Sequence, residues 1–181
     1  MVSFNRYKVL ISLFILALSV TAKSSTILED LEENRADWDC FSDQVMGGVS
    51  EGKASVVSSE DNKFFRLEGN VSTENNGGFI QCRANVNLKT KGINGVRIKV
   101  KGNGDEYYVH LRVPRMLPWN YYSSKFYAKE EWQIIDLPLS SFEYSRNSSK
   151  KFKSSKISTI GIVAYGKDFY AQVDLAKLEI Y

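Results

Sequence analysis

Residues 95–113 read GVRIKVKGNGDEYYVHLRV. At 96–101 apolar side chains alternate with arginine and lysine, and at 107–113 apolar or aromatic side chains alternate with tyrosine, histidine and arginine. Successive side chains of a strand point to opposite faces, so each run predicts a strand with one apolar and one polar face. Gly-Asn-Gly-Asp at 102–105 separates the two runs as a turn.

Similar strand patterns continue on both sides of this stretch. They occupy residues 54–58, 64–68, 79–86, 121–127, 132–137, 157–165 and 169–180. Because these runs follow one another at short intervals without helical patterns between them, we predict an all-β fold, an antiparallel sandwich or barrel.

Three segments depart from the strand pattern. Residues 27–35 are the candidate for a short helix, because Leu28 and Leu31 lie three positions apart. Residues 140–142 predict a single helical turn. The basic, serine-rich segment 145–156 predicts a solvated, mobile loop, with a docking patch for an anionic surface as the alternative.

Length and composition indicate one globular domain. The chain has 181 residues, of which 43% are hydrophobic, 13% aromatic and 25% charged. A formal net charge of +3 is too small to argue for nucleic acid as a partner. A single histidine is too few for a histidine-rich metal site.

The first 22 residues predict a secretory signal peptide. Two basic residues, Arg6 and Lys8, precede the uncharged apolar run 9–20, and small residues follow at Val20 and Ala22. A retained membrane anchor is the alternative, although twelve residues are few for a span. We therefore expect a signal at 1–22, a lead-in at 23–36 and a domain at 37–181. The mature protein would be exported to the periplasm or outside the cell, without a membrane span.

The first candidate site is the loop within WDCFSDQVMGGVSEG at 38–52. Glycine permits positive φ angles and close backbone approach, which suits Gly47 and Gly48 to a shaped loop. In one interpretation Asp43 caps the amides of this turn and Met46 fills an apolar gap. In the other, the loop binds a ligand or partner through an exposed Asp43.

The second candidate loop lies about thirty residues further along the chain and leads into a strand. It runs through Asn75, Asn76, Gly77 and Gly78 and is followed by Arg83. It is either a tight turn or a pair of amides presented to a polar ligand such as a sugar or a peptide backbone.

The third candidate is a polar strand face with neighbouring aromatic residues. Arg112 belongs to the alternating run described above, and Trp119, Tyr121 and Tyr122 follow it. Aromatic rings beside arginine can form a binding platform, and simple packing is the alternative. The familiar hydrolase, protease, nucleotide-binding and redox motifs do not occur. We therefore expect a protein that is not an enzyme and that needs no metal or cofactor.

The candidate loops resemble the thirty-kilodalton complex I intermediate-associated protein family. The resemblance rests on DQVMGGVS at 43–50, FRLEGNVS at 65–72, NGGF at 76–79 with Arg83, and the glycine-bounded strand at 95–104. It implies a galactose-binding-like jelly roll. Mitochondrial members of the family assist assembly of the membrane arm of NADH:ubiquinone oxidoreductase and are not dehydrogenases. The secretory signal differs from the presequence of those members.

Two functional hypotheses follow from the resemblance and the expected export. The first is a binding module that acts as an assembly or chaperone-like factor for envelope proteins. The alternative is a carbohydrate-binding jelly roll of the cell envelope, with aromatic rings stacked on sugars and arginine and amides bonded to hydroxyls. Neither hypothesis includes nucleic acid.

Cys40 and Cys82 are the only cysteines of the chain. Export would place them in an oxidising compartment, where a disulfide persists. Each lies beside one of the first two candidate loops, so a bridge would hold those loops together. Two separate buried thiols are the alternative, and a Cα separation above about 7 Å would exclude the bridge.

Overall fold

The computed structural model describes residues 25–31, 36–59 and 63–181. Within these residues the chain forms strands joined by turns and three short 3-10 segments, Asp43–Met46, Glu74–Asn76 and Leu139–Ser141. The predicted all-β antiparallel fold is confirmed. The predicted signal peptide at 1–22 lies outside the described residues.

The strands are numbered along the chain. They are β1 (Thr26–Glu29), β2 (Trp38–Ser42), β3 (Glu51–Ser58), β4 (Lys63–Val71), β5 (Phe79–Lys89), β6 (Gly95–Gly102), β7 (Asp105–Arg112), β8 (Tyr122–Ala128), β9 (Gln133–Pro138), β10 (Glu143–Tyr144), β11 (Asn147–Lys151), β12 (Lys156–Tyr165) and β13 (Phe169–Ile180).

Two antiparallel sheets form a sandwich. The six-stranded sheet has the order β3-β4-β13-β6-β9, with β1 also paired to β13, and the seven-stranded sheet has the order β11-β10-β8-β7-β12-β5-β2. Alternate residues of the central strands face the core between the sheets, as Ile98 does on β6 and Val109 on β7. The remaining residues of β2, β5, β12 and β7 form the outer face of the seven-stranded sheet.

Two segments differ from the sequence-based expectation. Residues 27–29 of the predicted helix belong to β1, because Thr26 and Ile27 pair with the last residues of β13 and gain hydrogen bonds that a short isolated helix lacks. Within the predicted loop at 145–156, residues 147–151 form the exposed edge strand β11, whose backbone pairs with β10 despite its polar side chains. The helical turn expected at 140–142 is the 3-10 segment at 139–141.

Buried polar groups fix the lead-in to the sandwich. The Glu29 carboxylate accepts hydrogen bonds from the Leu31 amide at 2.8 Å, the Ala36 amide at 2.9 Å and the Trp38 indole at 2.8 Å. Trp38 in turn stacks on Phe65 of the other sheet, with ring centroids 5.2 Å apart. In the described part of the chain, no helix is long and apolar enough to cross a membrane.

Candidate functional site

The first two candidate loops meet at the carboxylate of Asp43. Its Oδ1 accepts the Ser50 amide at 2.9 Å, and its Oδ2 accepts the Ser50 hydroxyl at 2.5 Å. Oδ2 also accepts the amides of Gly78 at 2.5 Å and Phe79 at 3.2 Å. Asp43 is 0% exposed. One buried carboxylate therefore joins the loop at 43–50 to the loop at 75–79.

Two glycines make room for this carboxylate. A Cβ added to Gly48 would lie 2.3 Å from the Asp43 Cγ, and one added to Gly77 would lie 2.3 Å from its Oδ2. Any larger residue would displace the carboxylate, so the packing explains the glycine at both positions. Gly47 is needed for another reason, since its φ of 89° ends the 3-10 turn in the left-handed region.

Asp43 is ionised over the ordinary pH range. Burial by itself would raise the pKa of this carboxyl, but hydrogen bonds from Ser50, Gly78 and Phe79 outweigh burial and lower the pKa below its ordinary value. These interactions correct the expectation of an exposed Asp43. The side chain caps backbone amides and has no surface left for a ligand.

A groove lies on the outer face of the seven-stranded sheet, beside these loops. Its volume is about 570 Å³. Strand register forms the floor, because Gly161 of β12 lies opposite Arg83 of β5 on one side and His110 of β7 on the other. Since Gly161 has no side chain, backbone forms the centre of the floor. A groove of this size can hold part of a chain-like ligand.

Exposed apolar side chains border the groove on two sides. The loop after β2 contributes Val45 and Met46, and Met46 is 66% exposed. The loop after β7 contributes Trp119, which is 56% exposed. Arg112 holds that second loop, because its Nη2 donates to the carbonyls of Met116 at 3.2 Å and Leu117 at 2.9 Å. The expectation that Met46 fills an internal gap is therefore corrected.

Stacked rings form another part of the floor. Tyr121 lies parallel to His110, with ring centroids 3.9 Å apart. Burial lowers the pKa of His110 to about 3, so the imidazole is neutral, and burial raises the pKa of Tyr121 to about 12. Among the residues that the structure describes, the His110 Nε2 and Arg112 Nε atoms are buried and have no hydrogen-bond partner.

Seven of the thirteen predicted binding residues line the groove. These are Met46, Asn76, Gly77, Arg83, Arg112, Trp119 and Tyr121. The structure thus brings together parts of all three candidate segments, which lie far apart in the sequence.

The other six predicted residues do not line the groove, namely Asp43, Gly47, Gly48, Asn75, Gly78 and Tyr122. Tyr122 is 7% exposed and packs inside the sandwich, 5.3 Å from Tyr144 and 4.8 Å from Phe152 between ring centroids. Its predicted place on the platform is corrected, because consecutive residues at the start of β8 face opposite sides of the sheet.

Ten further residues line the groove: Phe41, Val45, Phe79, Gln81, His110, Pro118, Thr159, Gly161, Val163 and Tyr165. Six of them share the outward parity of β5 or β12, opposite to buried Ile80 and Ile162. The alternation along these two strands therefore indicated which of their residues point outward. The sequence did not indicate the register that places β5 and β12 side by side.

A disulfide joins Cys40 to Cys82 next to the groove. The two residues lie directly opposite each other on β2 and β5, with a Cα separation of 4.0 Å. This separation meets the distance condition set for the bridge. The disulfide holds edge strand β2, and with it the loop at 43–48, against the groove floor.

No three metal-binding side chains of the His, Cys, Asp or Glu type lie together among residues 25–31, 36–59 and 63–181. The groups that the groove offers to a ligand are aromatic rings, arginine guanidinium groups and side-chain amides.

Comparison with known proteins places the chain by sequence and by fold. The sequence model of the Complex I intermediate-associated protein 30 (CIA30) family matches residues 28–179. A search of curated proteins finds no match.

Solved structures share the fold at low sequence identity. The family 11 carbohydrate-binding module of a cellulosomal cellulase of Clostridium thermocellum has a TM-score of 0.70 at 13% identity, covering 88% of this chain and 95% of that one. The same family 11 module in complex with a β-1,3-1,4-mixed-linked tetrasaccharide has a TM-score of 0.68 at 13% identity, covering 88% and 96%. A family 30 module of a C. thermocellum cellulase has a TM-score of 0.56 at 13% identity, covering 87% and 97%. The similarity establishes a jelly-roll sandwich. It does not identify a ligand for this chain.

Proposed function

This chain belongs to the Complex I intermediate-associated protein 30 family, and from that membership and the groove we propose a non-enzymatic module that binds a glycan chain on the outer face of its seven-stranded sheet. One observation carries the proposal: half-exposed Trp119 borders an open groove whose floor presents flat polar side chains. Sugar rings offer C–H faces to an aromatic ring and hydroxyls to amide and guanidinium groups. The similar fold of the family 11 module solved with a tetrasaccharide supports this choice.

Trp119→Ala tests the glycan proposal. Loss of an indole that covers a sugar ring should weaken binding by about 2 kcal/mol, roughly thirty-fold, because the apolar area buried between the indole and the sugar ring is lost. A glycan array identifies the tightest oligosaccharide, and calorimetry then measures its affinity for both proteins. Tyr127→Ala is the matched control, because Tyr127 is equally exposed at 56% but lies outside the groove. A flat array, or equal loss in both variants, would contradict glycan binding here.

A protein partner is the second candidate, supported by a different observation. The loop at 43–50 has three exposed apolar side chains, Val45, Met46 and Val49. Exposed apolar clusters often contact other proteins. Met46→Asp should then abolish cross-linking to a specific envelope protein, because it places a charge in the contact. Val56→Asp, at an exposed position of β3 on the other sheet, should have no effect. Cross-links unaffected by Met46→Asp would count against this candidate.

We also propose export with cleavage after Ala22 and a folded domain that covers most of the mature chain. The charged start and short apolar run of the first 22 residues support cleavage. Expression in the source cell should release a mature protein whose amino-terminal sequence begins at Lys23. Recovery of the intact amino terminus in the membrane fraction would instead indicate a retained anchor.

A further inference from the structure

The groove has positive charge without a compensating carboxylate. Among the described residues that line it, Arg83 and Arg112 are charged and none is acidic. The third basic side chain, His110, is neutral because of its burial. A ligand in the groove therefore meets two permanent cations.

Arg83 is held in place yet remains available. Its guanidinium lies 4.6 Å from the centre of the Phe41 ring, which fixes its position by a cation–π contact. Its one ion pair, to Asp39 at 3.2 Å, joins two side chains that are 36% and 64% exposed. An exposed pair of this kind contributes little, so a ligand carboxylate can compete for the guanidinium.

Within residues 25–31, 36–59 and 63–181, Arg112 has no acidic partner. Its Nη2 is bonded to two neutral carbonyls of the Trp119 loop, and its Nε is buried without a partner. Burial, and secondarily the charge of Arg83, lowers the pKa of Arg112. The two guanidinium groups therefore repel each other, and an anion bound between them would relieve that repulsion.

Apart from Asp39, which forms the exposed pair with Arg83, the carboxylates near the groove are engaged by other groups. Asp43 is buried and its oxygens are taken by Ser50, Gly78 and Phe79. Glu106, beyond the groove on β7, accepts the Tyr108 hydroxyl at 2.7 Å and pairs with Lys125 at 3.1 Å. The positive charge of the groove is thus directed at what enters it.

We propose that the groove selects an acidic glycan, whose carboxylate or sulfate group lies over Gly161 between Arg83 and Arg112 while a neighbouring sugar ring lies against Trp119. This rests on the glycan-binding function proposed above. Gly161 adds no side chain of its own at this place, and the residues paired with it are Arg83 and His110, whose side chains are a guanidinium and a neutral imidazole. Guanidinium groups bind carboxylate and sulfate oxygens through charge-assisted hydrogen bonds.

Charged and neutral versions of the same sugar chain test the selection. One pair is tetragalacturonate and its methyl ester, and the other is a sulfated galactan tetrasaccharide and its desulfated form. Calorimetry at about 50 mM salt should show at least one charged probe bound roughly ten-fold tighter than its neutral form. Raising the salt to about 500 mM should reduce that preference. The pair that shows it identifies carboxylate or sulfate as the anion.

Substitutions separate charge recognition from loop structure. Arg83→Gln and Arg112→Gln should each reduce the charged-to-neutral affinity ratio about ten-fold, whereas a merely displaced Trp119 loop would weaken both probes and leave the ratio unchanged. Lys53→Gln removes one charge at an exposed position of the opposite sheet and should keep the ratio.

The outcomes distinguish the two proposals. Equal binding of charged and neutral probes would overturn the acidic-glycan inference and leave glycan binding intact. Loss of binding to every sugar, combined with binding of an acidic peptide such as hexaglutamate, would overturn both.

Discussion

Asp43→Ala should lower the free energy of unfolding by about 4 kcal/mol, because it leaves buried backbone amides of the loops at 43–50 and 75–79 without an acceptor. The carboxylate accepts hydrogen bonds from Ser50, Gly78 and Phe79, and its 0% exposure means that water cannot replace it. Urea denaturation followed by tryptophan fluorescence measures the change. Asp39→Ala is the matched control, since its exposed pair with Arg83 should contribute below about 0.5 kcal/mol.

The same carboxylate predicts a pH dependence. Its pKa is lowered in the folded protein below the ordinary value of 3.8, so the folded state favours the ionised form. The stabilisation is therefore present above the pKa of the unfolded chain and is lost as the pH falls through the lower folded pKa. The difference in unfolding free energy between wild type and Asp43→Asn should be largest near neutral pH and shrink in acid. A difference that stays constant into acid would show that the carboxylate charge has no part in it.

Alanine at the adjoining glycines provides an independent check. Gly48→Ala and Gly77→Ala each place a methyl group within 2.3 Å of the Asp43 carboxylate, so each should destabilise by about 2 kcal/mol or more. Combined with Asp43→Ala, Gly77→Ala should cost much less, because the carboxylate that it displaces is gone. Gly48→Ala should remain costly, since its methyl group also lies 2.7 Å from the Cβ at position 43. An additive effect of Gly77→Ala and Asp43→Ala would mean that Gly77 serves another purpose.

Removing the disulfide should have the second large effect. Cys40 and Cys82 close a loop with a sequence separation of 42 residues, for which chain-entropy arguments give about 4 kcal/mol. A reducing agent should therefore lower the melting temperature of the wild type by many degrees. The variant with both cysteines changed to alanine should melt at that lower temperature and be unaffected by the reductant.

A thiol assay checks the bond itself. Denatured protein that has not been reduced should show no free thiols, and reduction should release both. Full reaction before reduction would exclude the disulfide. Because β2 carries the loop with Met46, we also expect the reduced protein to bind groove ligands more weakly than the oxidised protein.

Part of the site could be predicted from the residues alone. Arg83, Arg112, Trp119 and Tyr121 were selected from the chain, and all four line the groove. Arginine on the polar face of an alternating strand is exposed wherever the other face forms the core, so its side was predictable from parity. Tyr122 was selected wrongly by the same kind of reasoning, since its neighbour takes the outward position at the start of β8.

The buried role of Asp43 was only half predictable. An aspartate before two glycines suggests a cap on backbone amides. The chain could not indicate that two of the three amides, those of Gly78 and Phe79, belong to a loop some 35 residues away, which is the separation of Asp43 from Gly78. Without that contact, the sequence did not show whether the Asp43 carboxylate binds the protein's own amides or an external ligand.

The sequence by itself determined the strands, the alternation of apolar and polar side chains that requires a sandwich, and the loops at 43–50 and 75–79. Each follows from local physics: alternation divides a strand into a core face and an outer face, and glycine and asparagine break the chain at turns. Only the tertiary structure decided that β2, β5, β12 and β7 lie side by side, with Gly161 between Arg83 and His110. Strand order depends on long-range pairing, and many pairings satisfy the same alternation, so the groove exists only once one register has been chosen.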